Sequence, residues 1–137
     1  MKSILILIAL LAFAVTASAD LKKIQGTWKP SEGHLGASAI PKAMLDKMVL
    51  TLKGNTYVYN EGHGDDIGTL KEIPGTVPAG LDILGTKGPN KGKTYYTIYK
   101  LEGATLTICY GLDGKRPKSF ESKAKTMSMV ITYHRSK

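Results

Sequence analysis

Apolar and polar side chains alternate along most of the chain after residue 20, which is the pattern of strands with one buried face. The clearest example is the pair of runs at 49–53 and 56–60, VLTLK and TYVYN. They flank Gly54-Asn55, and two β-rich runs around a two-residue turn of Gly and Asn are typical of a β-hairpin. We therefore predict two antiparallel strands here.

A second hairpin is predicted for 95–101 and 104–110, YYTIYKL and ATLTICY, joined across Glu102-Gly103. Five weaker strands are predicted around the two hairpins, at 25–29, 66–72, 81–84, 118–122 and 127–135. Short strands at this spacing, separated by turn signals, indicate a sandwich or a barrel. Parallel strands need long crossover connections, and the pattern offers none, so the sheet should be antiparallel.

The stretch 41–47, PKAMLDK, is the exception to the strand pattern. Proline suits the first turn of a helix because its missing N–H would have no partner there. Ala43, Met44 and Leu45 favour helix. We expect one short helix at this point, lying over an opening of the β structure.

The first 19 residues have the three parts of a secretory signal peptide. Lys2 supplies a positive start, an unbroken run of 12 apolar residues follows at 4–15, and Ala17-Ser18-Ala19 fits the small-residue cleavage pattern. A membrane-spanning helix needs about 20 apolar residues, which is more than this run supplies. We predict cleavage after residue 19 and a single domain at 20–137. That domain should be exported to the periplasm, cell surface or medium, and should not span a membrane.

Charge and cysteine content narrow the class of protein. The chain has a formal net charge of +8 and one cysteine, so no disulfide forms within it. Basic residues are concentrated in the C-terminal third, at 111–137, whereas 61–72 is acidic. Such asymmetry can steer an anionic partner to one end of the molecule. Nucleic acid is not an expected partner, because the basic run lacks the interleaved aromatic residues of a single-strand platform.

The tripeptide Gly26-Thr27-Trp28, on the first predicted strand, resembles the G-x-W signature of lipocalins. The chain also resembles a narrower group of small exported bacterial proteins with a lipocalin-like domain, best known from planctomycetes. The resemblance is carried by the segments at 20–28, 92–94, 98–103, 106–109 and 116–120 (DLKKIQGTW, GKT, IYKLEG, LTIC and RPKSF). It implies an all-β, lipocalin-like antiparallel up-and-down barrel or half-barrel with one short helix. It implies little about activity, since none is established for that group.

The resemblance also implies one structural pair. In lipocalin-like folds the signature Trp lies at the closed end of the barrel, and a basic residue from the last strand packs across it. By position, Trp28 and Arg135 form that pair here. The assignment has a physical reason, because the first and last strands must meet to close a barrel. Its role is barrel closure.

Residues that would support catalysis or a metal ion are scattered. The segment His63-Gly64-Asp65-Asp66 offers an imidazole and two carboxylates, but Gly and Asp are also ordinary turn residues. A catalytic thiol at Cys109 would need a neighbouring base. The loop at 88–94 ends like a phosphate-binding loop, but position 87 is Lys and a strand follows instead of a helix. We therefore expect no enzyme activity, no metal and no cofactor.

Most tyrosines fall in or beside the two best hairpins, and with the aliphatic residues they would line either a filled core or a small-molecule pocket. The inward-facing candidates are Leu50, Leu52, Tyr57, Tyr59, Ile98, Leu106, Ile108 and Met129. The face assigned to the two tyrosines is uncertain by one residue, and a one-residue slip reverses it. The leading hypothesis is non-catalytic binding of a small apolar or amphipathic ligand. The alternative is an interaction module whose basic C-terminal third binds an anionic surface, a glycan or a protein.

Overall fold

The computed structural model describes residues 20–123 and 126–137. The predicted signal peptide at 1–19 lies outside these residues. Within them, no helix is long and apolar enough to cross a lipid bilayer.

The described chain folds into one antiparallel sheet that closes on itself. The strands are β1 (Gly26–Leu35), β2 (Ser38–Ala39), β3 (Val49–Lys53), β4 (Thr56–Asn60), β5 (Asp65–Ile73), β6 (Ala79–Lys87), β7 (Thr94–Glu102), β8 (Thr105–Gly111) and β9 (Ser128–Arg135). From β3 to β9 each strand pairs with the next, and β1 pairs with both β3 and β9. The result is a closed eight-stranded up-and-down barrel, with the two-residue β2 as an extra strand on the end of β1. The predicted all-β, lipocalin-like barrel is confirmed, and it is a full barrel instead of a half-barrel.

β1 closes the barrel because it is long and bent. Its first residues pair with β3, and the whole strand from Trp28 to Leu35 pairs with β9. The register with β9 shifts between Pro30 and Glu32, which makes a bulge at Ser31. A bulge bends a strand and tolerates a proline that cannot donate to the ladder. The sequence prediction for this strand ended at residue 29, because Pro30 and the glycines beyond it interrupt the alternation.

The two ends of the barrel differ. A short 3-10 helix at Leu21–Ile24 and the tight turns after β3 and β7 lie at one end, which the core fills. The single α-helix of the described residues, α1 (Lys42–Leu45), lies at the other end, together with the β4–β5 turn and the β6–β7 loop. The predicted short helix is present within 41–47, and Pro41 is its N-cap, one position before the first turn in which the sequence placed it. We refer to these as the closed end and the open end.

One correction to the strand prediction concerns the segment between β8 and β9. The stretch at 118–122 is irregular, although the sequence predicted a strand there. β8 and β9 pair directly with each other, so this segment has no free edge to join. It crosses the outer face of the barrel instead, where Lys100 Nζ lies 5.0 Å from the centroid of the Phe120 ring. A small cavity of about 250 Å³ lies beside Phe120 on this outer face.

Candidate functional site

The barrel contains a cavity of about 400 Å³ at its open end. Its wall comes from inward-facing side chains of every strand from β3 to β9. β1 contributes only its last residue, Leu35. Met44 of α1, Pro89 of the β6–β7 loop and Leu112 after β8 border the open end. The short helix therefore lies beside an opening, as the sequence predicted.

The floor of the cavity is apolar and is continuous with the core. Below it the barrel is filled by buried side chains that pack together toward the closed end. The aliphatic residues that line the cavity are Leu35, Ile40, Met44, Met48, Leu50, Leu52, Leu70, Leu81, Ile83, Ile108, Leu112, Met129 and Ile131. An apolar ligand would lose contact with water where it meets this wall, and burial of apolar surface is the main source of affinity in such sites.

One side of the cavity carries a hydrogen-bonded group centred on Asp66, which is only 6% exposed. Its Oδ2 accepts hydrogen bonds from Tyr57 Oη at 3.2 Å and from Asn90 Nδ2 at 2.8 Å. The backbone N–H of Asn90 donates to the other carboxylate oxygen at 3.3 Å. Tyr95 Oη donates to Asn90 Oδ1 at 3.0 Å. Burying a carboxylate is costly unless it is hydrogen-bonded, so these partners hold Asp66 in place.

This group depends on Gly68, which lies opposite Tyr57 across the β4–β5 pair. A Cβ on Gly68 would stand 2.6 Å from Tyr57 Cε1 and 1.9 Å from the carbonyl oxygen of Leu84. Only glycine leaves room for the tyrosine ring at this point. The ring can then lie along β5 and bring its hydroxyl to Asp66.

Two further tyrosine contacts line the cavity. Tyr110 and Tyr133 join their hydroxyl groups at 2.8 Å, across the β8–β9 pair. Tyr59 Oη donates to Glu61 at 3.2 Å, near the open end. Five of the seven tyrosines in the chain therefore face this one cavity.

The tyrosine hydroxyl groups stay protonated at neutral pH. Burial raises the pKa of Tyr110 to about 12, because the phenolate would lose its hydration. Burial also raises the pKa values of Tyr57, Tyr59 and Tyr133; nearby carboxylates add to the effect for the first two, and Tyr110 adds to it for Tyr133. The cavity therefore offers neutral hydroxyl groups beside two carboxyl side chains.

Six of the eight side chains predicted to face inward line the cavity: Leu50, Leu52, Tyr57, Tyr59, Ile108 and Met129. Leu106 also points inward, but it lies in the core below the cavity, next to the closed end. The prediction for Ile98 was wrong. It pairs with Gly80 and Cys109 on the outer face, while Tyr95, Thr97 and Tyr99 alternate with it on the inner one.

The barrel-closing pair lies where the sequence placed it. Trp28 is fully buried and donates its indole N–H to Ile24 O at 2.9 Å. Arg135 lies across its ring and donates to the carbonyl oxygens of Lys23 (2.9 Å) and Gln25. These contacts belong to the closed end, away from the cavity.

Sequence reasoning missed the polar members of the site, Glu61, Asp66, Asn90 and Tyr95. A signal for Asp66 was present, since it shares the inward phase of β5 with Gly68 and Leu70. Asn90 gave no signal, because it lies in a loop whose fold determines where its side chain points. Tyr110 and Tyr133 are in phase with Ile108 and Ile131 and were predictable from the alternation.

The other candidates for chemistry do not converge. Alternation along β5 puts Asp65 and Asp66 on opposite faces, and Asp65 bonds Asn60 Nδ2 outside the barrel at 2.8 Å. No group of three His, Cys, Asp or Glu side chains suited to a metal ion is present in 20–123 and 126–137. Cys109 is buried on the outer face, where burial raises the pKa of its thiol to about 11. The loop after β6 leads into β7, so it presents no helix end to a phosphate.

Comparison with protein-family models, with curated proteins and with solved structures finds no match to this chain in any of the three. The lipocalin-like resemblance of the sequence therefore stays an expectation at the level of family, and function has to be inferred from the cavity.

Proposed function

We propose that this protein binds a small apolar or amphipathic molecule in the cavity of its barrel, without chemical conversion and outside the cytoplasm. The observation that carries the proposal is the cavity itself. Its volume of about 400 Å³ falls in the range of about 300–1,000 Å³ that is usual for small-molecule sites. A few polar groups on an otherwise apolar wall are also usual for such sites.

The division of the barrel into two levels supports this proposal. Four members of the hydrophobic core do not line the cavity and pack the closed end below it: Ile24, Trp28, Tyr99 and Leu106. Leu35, Met44 and Leu112 line the cavity at the open end without belonging to that core. Met44, at the border of the opening, is 53% exposed, so the site has an apolar rim as well as an apolar floor.

A binding role fits the polar groups better than a catalytic one. The carboxylate of Asp66 is held by three hydrogen-bond donors, and the tyrosine hydroxyls are protonated. The nucleophiles that enzymes use most often are Ser, Cys, Thr, Lys and His, and none of these is among the described residues that line the cavity. Cys109, the natural thiol candidate, faces away from the cavity.

The alternative proposal, an anionic partner at the C-terminal third, receives less support. Arg135 is used at the closed end, and Arg116 pairs with Asp82 and donates to Thr97 O at 2.7 Å. Lys123 pairs with Glu121. Several of the basic residues that suggested a polyanion surface thus have partners within the chain.

The test is a fluorescence titration with N-phenylnaphthylamine, an uncharged probe that brightens in apolar surroundings. We expect saturable binding to the wild type. Met129→Trp fills the cavity from β9 and should weaken binding about tenfold or more. Val58→Trp is the matched control, because Val58 points outward between Tyr57 and Tyr59 and should leave binding unchanged.

Circular dichroism shows whether both variants keep the β fold. If the probe does not bind the wild type, or if Met129→Trp binds it as well as the wild type does, the proposed function is wrong. Equal weakening by both variants would place the probe on the outer surface and would also contradict the proposal.

A further inference from the structure

The hydrogen-bond donors around the cavity are mostly used within the protein. Tyr57 donates to Asp66, Tyr59 donates to Glu61, and Tyr95 donates to the side-chain oxygen of Asn90. Each of these hydroxyl groups uses its single O–H in a hydrogen bond within the protein, so it can only accept a hydrogen bond from a ligand. The side chains that remain able to donate are Asn90, through its second amide hydrogen, and one member of the Tyr110–Tyr133 pair.

The hydrogen-bond acceptors of the cavity, in contrast, are only partly used within the protein. A carboxylate offers about four lone-pair positions, and Asp66 receives three hydrogen bonds, of which the backbone contact at 3.3 Å is long. Glu61 receives one bond, from Tyr59, among the side-chain contacts of the described residues. The three donating tyrosines add lone pairs of their own. A ligand would therefore find more acceptors than donors on the polar side of the cavity.

The charged side chains that line the cavity also favour a ligand that donates hydrogen bonds. Two carboxyl side chains, Glu61 and Asp66, line the cavity, whereas no Lys, Arg or His of the described residues does so. This contrasts with the chain as a whole, which is basic, with a formal net charge of +8. All lysines of the described residues are exposed to solvent, and none lines the cavity. Charge inside a cavity with low-dielectric walls acts strongly on a ligand.

Five tyrosine rings add to this electrostatic pattern. The face of an aromatic ring is negative, and it attracts a cation within about 6 Å of the ring centroid. Rings from β4, β7, β8 and β9 surround the same space. They can therefore face a cationic group from several directions, while the aliphatic floor receives a chain.

From these observations we propose that the cavity selects an amphiphile whose polar head donates hydrogen bonds, an alkyl amine above all and an alcohol next, and that it rejects fatty acids and other carboxylates. The inference rests on the proposed binding function and adds the chemical class of the ligand. The head lies beside Asp66 and Glu61, and the chain lies along the aliphatic floor toward Leu70 and Ile108.

The experiment uses decylamine, decanol and decanoate as competitors that displace N-phenylnaphthylamine from the wild-type protein. The three probes have the same chain and differ in the head. We expect decylamine to bind about tenfold more tightly than decanoate, because one head is attracted to the carboxylates and the other is repelled. Decanol should fall between them.

Three variants test whether the carboxyl side chains of the cavity cause the preference for decylamine over decanoate. Asp66→Asn and Glu61→Gln each remove one acidic side chain from the cavity and should narrow the gap between decylamine and decanoate severalfold. Asp65→Asn is the matched control, since it removes the same charge one residue away on the outer face and should leave the gap unchanged. If Asp66→Asn does not fold, because the amide disturbs the contacts with Asn90, Glu61→Gln still decides the question.

The outcomes separate the two proposals. Decanoate binding as tightly as decylamine, or a gap that Asp65→Asn narrows as much as Glu61→Gln does, would overturn the proposed ligand class and leave the binding function in place. Absence of binding by N-phenylnaphthylamine itself would contradict the binding function. A preference for decylamine that only the cavity variants reduce supports the inference.

Discussion

The guanidinium carbon of Arg135 lies 4.3 Å from the centroid of the Trp28 ring, and the two residues are directly opposite each other in the β1–β9 register. Gly26 belongs to the same arrangement. A Cβ at this position would lie 3.0 Å from Arg135 Nη1, and its φ of +125° is one that residues with side chains rarely adopt. The glycine and the tryptophan of the G-x-W tripeptide therefore serve one purpose, which is to hold the arginine across the seam of the barrel.

Replacing Arg135 should destabilise the fold without altering the cavity. Arg135→Ala removes the cation–π contact and two charge-assisted hydrogen bonds to carbonyl oxygens, and we expect the free energy of unfolding to fall by about 2 kcal/mol. Arg135→Lys keeps the charge but loses the fork that reaches Lys23 and Gln25, so its effect should be intermediate. Urea unfolding measures both, with Lys137→Ala at the exposed C terminus as control. A loss in Arg135→Ala no larger than that of the control would show that the seam does not depend on this contact.

The strands and their pairing were largely predictable, because most strands of this barrel have an apolar inner face and a more polar outer face. β3 and β4 are the clear case, where Gly54-Asn55 fixes the hairpin register and Leu50, Leu52, Tyr57 and Tyr59 all face inward. β7 is the case where the pattern fails. Its sequence has large apolar or aromatic residues on both faces, and Ile98 is only 1% exposed although it lies on the outer face.

The polar side of the cavity was less predictable than its apolar floor, for a physical reason. An apolar floor follows from alternation along single strands, which is local information. The contact between Asp66 and Asn90 joins β5 to a loop 24 residues later, and it depends on the bulge where Ile67 and Gly68 oppose Lys87 and Gly85. Such a contact is known only when the fold is known.

Alkaline pH should destabilise the protein through the tyrosines of the cavity. The pKa of Tyr110 is raised from 10.0 to about 12 in the folded state, so the unfolded chain loses this proton first as the pH rises. Stability from this group is complete below pH 10 and is lost between pH 10 and 12, at about 1.4 kcal/mol for each unit of pKa difference. Urea unfolding across this pH range should show the decline, and Tyr110→Phe should make it shallower. An unchanged slope in Tyr110→Phe would assign the decline to other groups.

Salt distinguishes ligand burial from binding of a polyanion. Apolar burial is insensitive to moderate salt, whereas contacts between exposed charges weaken as the Debye length shrinks. We expect the affinity for N-phenylnaphthylamine to stay constant between low and physiological ionic strength. Binding to heparin, tested in parallel, should be weak and should disappear as salt rises. Tight heparin binding with a steep salt dependence, in a protein that does not take up the probe, would favour the alternative function.

Cys109 reports on the segment between β8 and β9. The thiol is fully buried on the outer face, and burial raises its pKa to about 11, so little thiolate exists at neutral pH. Alkylation by iodoacetamide should therefore be slow in the folded protein and fast in denaturant. Rapid labelling of the folded protein would contradict this expectation and would support a reactive thiol at Cys109.

Arg116 is the residue that should control how fast Cys109 is exposed. It lies in the segment that crosses the outer face, where it pairs with Asp82, donates to Thr97 O at 2.7 Å and lies 5.5 Å from the centroid of the Tyr96 ring. Charge-assisted hydrogen bonds are worth about 1.5–3 kcal/mol, so Arg116→Ala should accelerate labelling of Cys109 about tenfold through local opening. Lys118→Ala, two residues along the same segment, should leave the rate unchanged. The cavity lies on the other side of the sheet, so Arg116→Ala should still bind N-phenylnaphthylamine. If this variant loses probe binding as well, the segment and the cavity open together.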